Sequence, residues 1–271
     1  MSAPVSARVD TPESAVVDAA VSAAVTVAVT WPAALWRRAL GELLGTGLLV
    51  AVVVGSGIAA ANLSPDDVGL QLLENSIATA LGLAVLIAVL GPLSGAHFNP
   101  VVTLVDWALG RRDPAGPRLG DVAAYLAAQL TGGIGGAVLA NAMFAEPTAI
   151  ATTDRVSGAT FLAEVVATAG LVLVIFGLLR AGRDTLIAPA VGAYIGAAYW
   201  FTSSTSFANP AVTVGRVLSD SFAGIAPGSV LPFVLAQLVG GAVGLGLVAV
   251  LYPARLGTTG GDVARPGTPA H

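Results

Sequence analysis

Two short stretches constrain this chain more than anything else in it: Ser94-Gly-Ala-His-Phe-Asn-Pro-Val-Val-Thr-Leu, residues 94 to 104, and Ser206-Phe-Ala-Asn-Pro-Ala-Val-Thr-Val, residues 206 to 214. In each, an Asn is followed by Pro and then by an apolar run. Asn is a preferred helix N-cap, and Pro is preferred at the first helical position, where its missing N–H costs nothing. Each stretch therefore predicts an irregular loop that abruptly starts a helix, at Pro100 and at Pro210. Both helices have only about ten apolar residues before Arg111 and Asp220. At about 1.5 Å per residue they reach half-way through a hydrocarbon layer about 30 Å thick.

The surrounding chain belongs in such a layer. Of its 271 residues 55% are hydrophobic and 10% charged, with a mean hydropathy of +0.84, whereas soluble domains carry about 25% charged residues. The absence of Cys excludes disulfides, thiolate metal sites and thiol nucleophiles. A net charge of −4 without a basic block gives no reason to expect a nucleic-acid partner. No nucleophile–base pair or metal cluster appears in the apolar stretches, so neither an enzyme nor a cofactor is expected. The 33 Gly fit helices packed closely in lipid through small residues.

Six stretches are long enough to cross: 39–61, 76–93, 122–144, 161–179, 186–202 and 230–252. Two of them, 76–93 and 186–202, are short and run directly into the Asn-Pro loops. Residues 1–34 read as a cytoplasmic tail without stable structure, or as a helix lying on the membrane surface, and residues 254–271 as a second tail. Arg37 and Arg38, Arg111, Arg112 and Arg118, and Arg180 and Arg183 flank spans on one side. Residues 62–75 carry Asp66, Asp67 and Glu74 without a cation. The positive-inside rule then puts both termini in the cytoplasm of a multi-pass protein of the cell (inner or plasma) membrane.

The halves repeat. Glu42-Leu-Leu-Gly-Thr46 matches Glu164-Val-Val-Ala-Thr168, and Ala128-Gln-Leu-Thr-Gly-Gly133 matches Ala236-Gln-Leu-Val-Gly-Gly241. The expected fold is an all-α membrane protein: one channel domain over 35–253, with repeats at about 35–145 and 158–253. Three spans per repeat is an odd number, so the halves lie upside down relative to one another. The two half-helices enter from opposite faces and meet N-terminus to N-terminus. Irregular backbone at that depth must be packed in protein or line water. The loops are expected to expose the carbonyls of Gly95, Ala96, His97 and of Thr205 to Phe207. Each helix N-terminus carries about half a positive charge, a central barrier to cations and protons.

The paired motifs, the Ser-Gly-Ala-His-Phe lead-in and the matched Glu and Gln spans resemble the aquaporin (major intrinsic protein) family over about residues 35 to 253. That resemblance implies a passive channel for water and small neutral solutes, embedded in the lipid bilayer as a homotetramer with one pore per subunit. It makes Asn99-Pro100-Val101 and Asn209-Pro210-Ala211 the central motifs, with the two Asn as donors. Glu42 and Glu164 brace the loops; a proton-coupling carboxylate, and with it a coupled secondary transporter, is the alternative. His97 faces the inner mouth or simply packs. Gln129 and Gln237 bond between helices or line the pore.

The chain departs from the common family pattern at two places. Val212 stands where an Arg usually lines the narrowest point, and Val101 stands in place of Ala. Bacterial members with Val at the first of these positions are similar, and some are associated with metalloid solutes such as arsenite; glycerol is a further candidate solute. Ser206 is the loop residue of the constriction. The second span supplies Leu81 or Thr79, and the fifth Tyr199 or Trp200, unless these aromatics pack or anchor the interface. Arg216 and Asp106, one turn beyond Val212 and Val102, are expected in the outer and inner vestibules, or capped by neighbouring chain ends.

Overall fold

The computed structural model describes residues 33–111 and 116–253. The expected tails, but for residues 33 and 34, lie outside the described residues, as does Arg112. Within them the chain is all-helical. The α-helices are α1 (Leu35–Leu63), α2 (Val68–Ser94), α3 (Pro100–Gly110), α4 (Leu119–Met143), α5 (Gly158–Arg180), α6 (Ile187–Phe201), α7 (Pro210–Gly215) and α8 (Pro227–Leu251). Helices α1, α2, α4, α5 and α8 are long and apolar enough to cross a membrane. The sixth expected span, α6, has 15 residues and follows a 3-10 turn at Asp184–Leu186.

Two expectations about length need correction. The second span is not short: α2 has 27 residues and starts at Val68, where the Asp67 side chain accepts from the Leu70 N–H at 2.9 Å. Its first turns hold polar residues that hydropathy excludes from a span. Their partners come from α1: Gln71 donates to the Ser64 carbonyl at 2.8 Å, Asn75 to the Val53 carbonyl at 2.8 Å, and Glu74 accepts from the Ser64 hydroxyl at 2.9 Å. The half-helices are also unequal. Helix α3 has 11 residues, but α7 has 6 before a 3-10 turn at Arg216–Leu218. The carbonyls that a longer α7 would use are already taken: Val217 O accepts from the Ala151 N–H at 2.8 Å and Arg216 O from the Ile225 N–H at 3.4 Å.

Glycines let the long helices approach backbone to backbone. A Cβ on Gly132 of α4 would collide with the Leu43 carbonyl of α1, and one on Gly136 with the Gly47 carbonyl. The second repeat packs α5 on α8 in the same way: a Cβ on Gly240 would lie 2.5 Å from the Val165 carbonyl, and one on Gly244 2.8 Å from that of Ala169. Between the repeats, α2 meets α6 where a Cβ on Gly192 would lie 2.5 Å from the Ala80 carbonyl. In lipid no hydrophobic effect joins helices, so such close van der Waals contact carries the assembly. The outward faces keep exposed Leu and Val, among them Leu40, Leu44 and Leu48 of α1. Gly136→Val should force α1 and α4 apart and lower the unfolding temperature in detergent, a cost of about 1–3 kcal/mol for overpacking. Gly135→Ala, whose Cβ meets nothing within 4 Å, should unfold at the wild-type temperature.

Candidate functional site

The site grows from two buried carboxylates. Glu42 of α1 accepts four hydrogen bonds: the Ser94 hydroxyl at 2.7 Å and the His97 N–H at 3.0 Å on Oε1, the Phe98 N–H at 2.7 Å and Gln129 Nε2 at 2.7 Å on Oε2. Glu164 of α5 does the same in the second repeat, taking the Ser204 hydroxyl at 2.6 Å, the Phe207 N–H at 2.8 Å, the Ala208 N–H at 2.8 Å and Gln237 Nε2 at 2.7 Å. Each carboxylate thus draws two successive loop N–H groups to one side. That direction requires left-handed backbone, with φ 50° at Ala96 and 49° at Phe98, and 60°, 52° and 46° at Thr205, Ser206 and Ala208. Such conformations cost about 1–2 kcal/mol each outside Gly, and Gly95, at φ 89°, supplies the first without that cost.

With the N–H groups turned to the carboxylates, the carbonyls turn the other way. Among the described residues no protein donor reaches the carbonyl oxygens of Gly95, Ala96, His97, Thr205, Ser206 or Phe207. Unpaired carbonyls at membrane depth need water or a polar solute. Asn99 and Asn209 divide their labour by atom. Each Oδ1 caps its own half-helix, accepting from Val101 N–H and Ala211 N–H at 2.9 Å. Each Nδ2 reaches across to the opposite loop, Asn99 to the Ala208 carbonyl and Asn209 to the Phe98 carbonyl, both at 2.7 Å. An amide nitrogen carries two protons, so each Asn keeps one donor to spare. Reading Gln129 and Gln237 as interhelical bonders agrees with the geometry: each also donates at 2.9 Å to a hydroxyl of the half-helix, Thr103 or Thr213.

Thr79 and Tyr199 are brought together, their hydroxyls 3.0 Å apart and buried. Their alternatives are not. Leu81 is 64% exposed and Trp200 51%, with the Trp200 indole donating to the Ser76 hydroxyl at 3.2 Å. Two residues along a helix is about 200° of rotation and one is about 100°, enough to carry both side chains to the outer surface. Ser206 is buried with its hydroxyl unpartnered. Val212, 5% exposed, shares one apolar cluster with Tyr199, Ile195 and Leu83. Val101 fits in place of a smaller residue because it packs on Gly241, where any Cβ would overlap it.

Arg216 does not stand in an open vestibule. It is 3% exposed, its Nε donates to the Ala223 carbonyl, and its guanidinium lies 3.5 Å over the Phe207 ring. Arg155, from the segment between α4 and α5, sits 5.5 Å from the same ring and donates to the carbonyls of Gly224 and Phe222 at 2.7 and 2.9 Å. Burial pushes the Arg155 guanidinium below the usual arginine range. Asp106 keeps partial access beside His97, with His97 Nε2 and Asp106 Oδ2 3.7 Å apart.

Residues 28–205 match the family model for the major intrinsic protein. The chain is a member of the major intrinsic protein family. The matched segment stops short of Asn209, which the alignment to the first relative below includes, since it covers 82% of the 271 residues. The family member is 49% identical over 223 residues to aquaglyceroporin AqpS of Rhizobium meliloti (strain 1021), covering 82% of this chain and 93% of that protein. It is 30% identical over 247 residues to aquaporin Z of Rhodopseudomonas palustris, covering 83% and 98%. The X-ray structure of the aquaglyceroporin from Plasmodium falciparum has the same fold, with a TM-score of 0.61 at 22% identity over 79% of this chain and 96% of that one. The protein is thus a passive channel for water and small uncharged solutes in the major intrinsic protein family, and neither the likenesses nor the site supports a coupled carrier.

Ser94, Ser204, Thr103 and Thr213 belong to the site although the motif reading passed over them. Laying the halves side by side reveals them, since each Asn has a Ser five residues before it and a Thr four residues after. Replacing Glu42 or Glu164 by Gln should be tolerated better than replacement by Ala. Gln keeps one acceptor oxygen, whereas Ala leaves buried N–H groups unpaired at about 1–3 kcal/mol each. Thermal unfolding of the four purified variants, with water flux alongside, checks the order.

Proposed function

We propose that this channel passes small uncharged polyhydroxy solutes, glycerol and trihydroxy metalloids such as arsenite among them, in addition to water. The observation that carries the reading is Val212: a buried aliphatic side chain of the apolar core occupies the position three residues after Asn209. An apolar waist there admits the carbon or metalloid face of a solute. The hydroxyls of Thr79, Tyr199 and Ser206, which we assign to the same constriction, can serve the solute's own hydroxyls. The 49% identity to a protein named an aquaglyceroporin supports the same solute class.

In this reading, the free carbonyls of Gly95, Ala96, His97 and Thr205 line the lumen, and the spare donors of Asn99 and Asn209 mark its centre. The neutral lumen, flanked by two helix N-termini, rejects cations. The domain spans residues 35–253 as two inverted repeats. We propose cytoplasmic termini and a homotetramer in the plasma membrane; both follow from the positive-inside pattern and the family, and the protein acts without catalysis.

Stopped-flow measurements on proteoliposomes test the waist. Val212→Arg should cut glycerol permeability at least ten-fold while sparing water, because it restores a cation and narrows the passage; equal glycerol flux in both proteins would place the waist elsewhere. Asn209→Asp keeps the capping oxygen but adds a charge that offsets the helix dipoles. It should impair neutral-solute flux or admit cations, and wild-type flux without a new conductance would remove Asn209 from the central role.

A further inference from the structure

Equivalent positions of the two repeats carry opposite chemistry. In the second, Phe207 lies edge-on to Phe233 of α8 at 5.1 Å, and Arg216 covers its face. In the first, His97 replaces Phe207, Tyr125 of α4 replaces Phe233 with ring centroids 5.5 Å apart, and Asp106 replaces Arg216. An apolar ring and a cation at one mouth therefore become an imidazole and an anion at the other.

The hydrogen-bond network decides which imidazole nitrogen carries the proton, and the second repeat serves as the control. There Thr213 faces a phenyl ring, not an imidazole. Its hydroxyl donates to the Asn209 carbonyl at 2.8 Å and accepts from Gln237 at 2.9 Å. Thr103 repeats the pattern, donating to the Asn99 carbonyl at 3.1 Å and accepting from Gln129 at 2.9 Å. A hydroxyl has one proton. With it on the Asn99 carbonyl, the Thr103 oxygen can only accept from His97 Nδ1, 3.1 Å away. Neutral His97 then carries its proton on Nδ1 and turns the bare Nε2 toward Asp106 Oδ2 at 3.7 Å. Two acceptors face one another, with side-chain exposures of 16% and 37%. Each needs a donor from solvent or solute, unless Nε2 takes a proton.

Few other charges face this ring. From α1, Glu42 accepts the His97 backbone N–H and is saturated by its four donors. From α4 come the Tyr125 ring and Asp121, the latter bonded to Arg38 of α1 at 2.8 Å. From α3 comes Asp106 itself.

We propose that His97 and Asp106 form an acceptor pair, at the mouth on the side of the first loop, that selects solutes carrying two adjacent hydroxyl donors and is withdrawn when His97 is protonated. This rests on the solute class proposed above. A vicinal diol donates one hydroxyl to Nε2 and the other to Oδ2. A proton on Nε2 closes the pair into an ion pair and removes both acceptors. The preference for diols therefore fades on protonation of His97.

The chain has two His, and the other is His271. A His271→Ala protein labelled with 15N in its imidazole and reconstituted in liposomes reports His97 alone. At pH 8 its spectrum should show a protonated Nδ1 and a bare Nε2, with glycerol shifting the Nε2 resonance and Asp106→Leu weakening that response. An Nε2-protonated neutral ring, or an Nε2 signal indifferent to glycerol, overturns the proposal. In flux, Asp106→Leu, which leaves no acceptor, should lower the glycerol-to-water permeability ratio at pH 8 about five-fold, the worth of one hydrogen bond of about 1 kcal/mol. The wild-type ratio should fall between pH 8 and pH 5.5 and that of Asp106→Leu should not; an unchanged ratio in the variant at pH 8 also overturns the proposal. A wild-type channel that passes water but no glycerol refutes the solute class instead, and the tautomer then decides the pair by itself.

Discussion

Everything at the centre of this protein hangs on two ion–dipole contacts: the carboxylates of Glu42 and Glu164 gripping the loops before Asn99 and Asn209. A carboxylate buried away from water is tolerable only if its lone pairs are filled, and here each fills four. The donors are loop N–H groups, a Ser hydroxyl and a Gln amide, so charge burial is offset by ordering a segment that has no secondary structure. The loops in turn hold several non-Gly residues in left-handed backbone, which no local preference supplies. Carboxylate and strain keep each other in place. Turning N–H groups toward the Glu leaves carbonyls pointing away from it, and those carbonyls give the two loops a set of free acceptors.

The same scaffold occurs twice, and the copies differ in the side chains around it. The braces match atom for atom, from Ser94 and Ser204 through Gln129 and Gln237 to Thr103 and Thr213. The side chains beside the loops diverge: His97 and Asp106 in the first repeat, Phe207 and Arg216 in the second. A partly exposed carboxylate and an arginine locked onto an aromatic face give the two loops different surroundings, although the backbones beneath them are alike. Close helix contacts are also duplicated, through Gly132 and Gly136 in one repeat and Gly240 and Gly244 in the other.

Much of this was legible in the sequence because it depends on local rules. Five of the spans follow from apolar run length, the half-helices from Asn-Pro capping, and the inverted arrangement from an odd number of spans per repeat. The bracing role of Glu42 and Glu164 was legible only through family resemblance and their matched places in the two halves. Hydropathy misjudged α2 because it scores Gln71, Glu74 and Asn75 as if they faced lipid. Their partners on α1 are invisible to a window sliding along one segment.

By itself, the sequence determined an all-helical membrane channel with two convergent half-helices, since period, length and capping are properties of neighbouring residues. Only the tertiary structure decided which of the alternative side chains turn inward. Thr79 and not Leu81, Tyr199 and not Trp200, are brought together, because the facing of a helix is set by its packing on the others. It also decided that Arg216 is spent on Phe207 and the Ala223 carbonyl, while its counterpart Asp106 keeps access beside His97. Both sit seven residues beyond an Asn, at equal sequence distance. What separates them is the segment between Asp220 and Ala226, which folds back over the second loop and closes on the arginine.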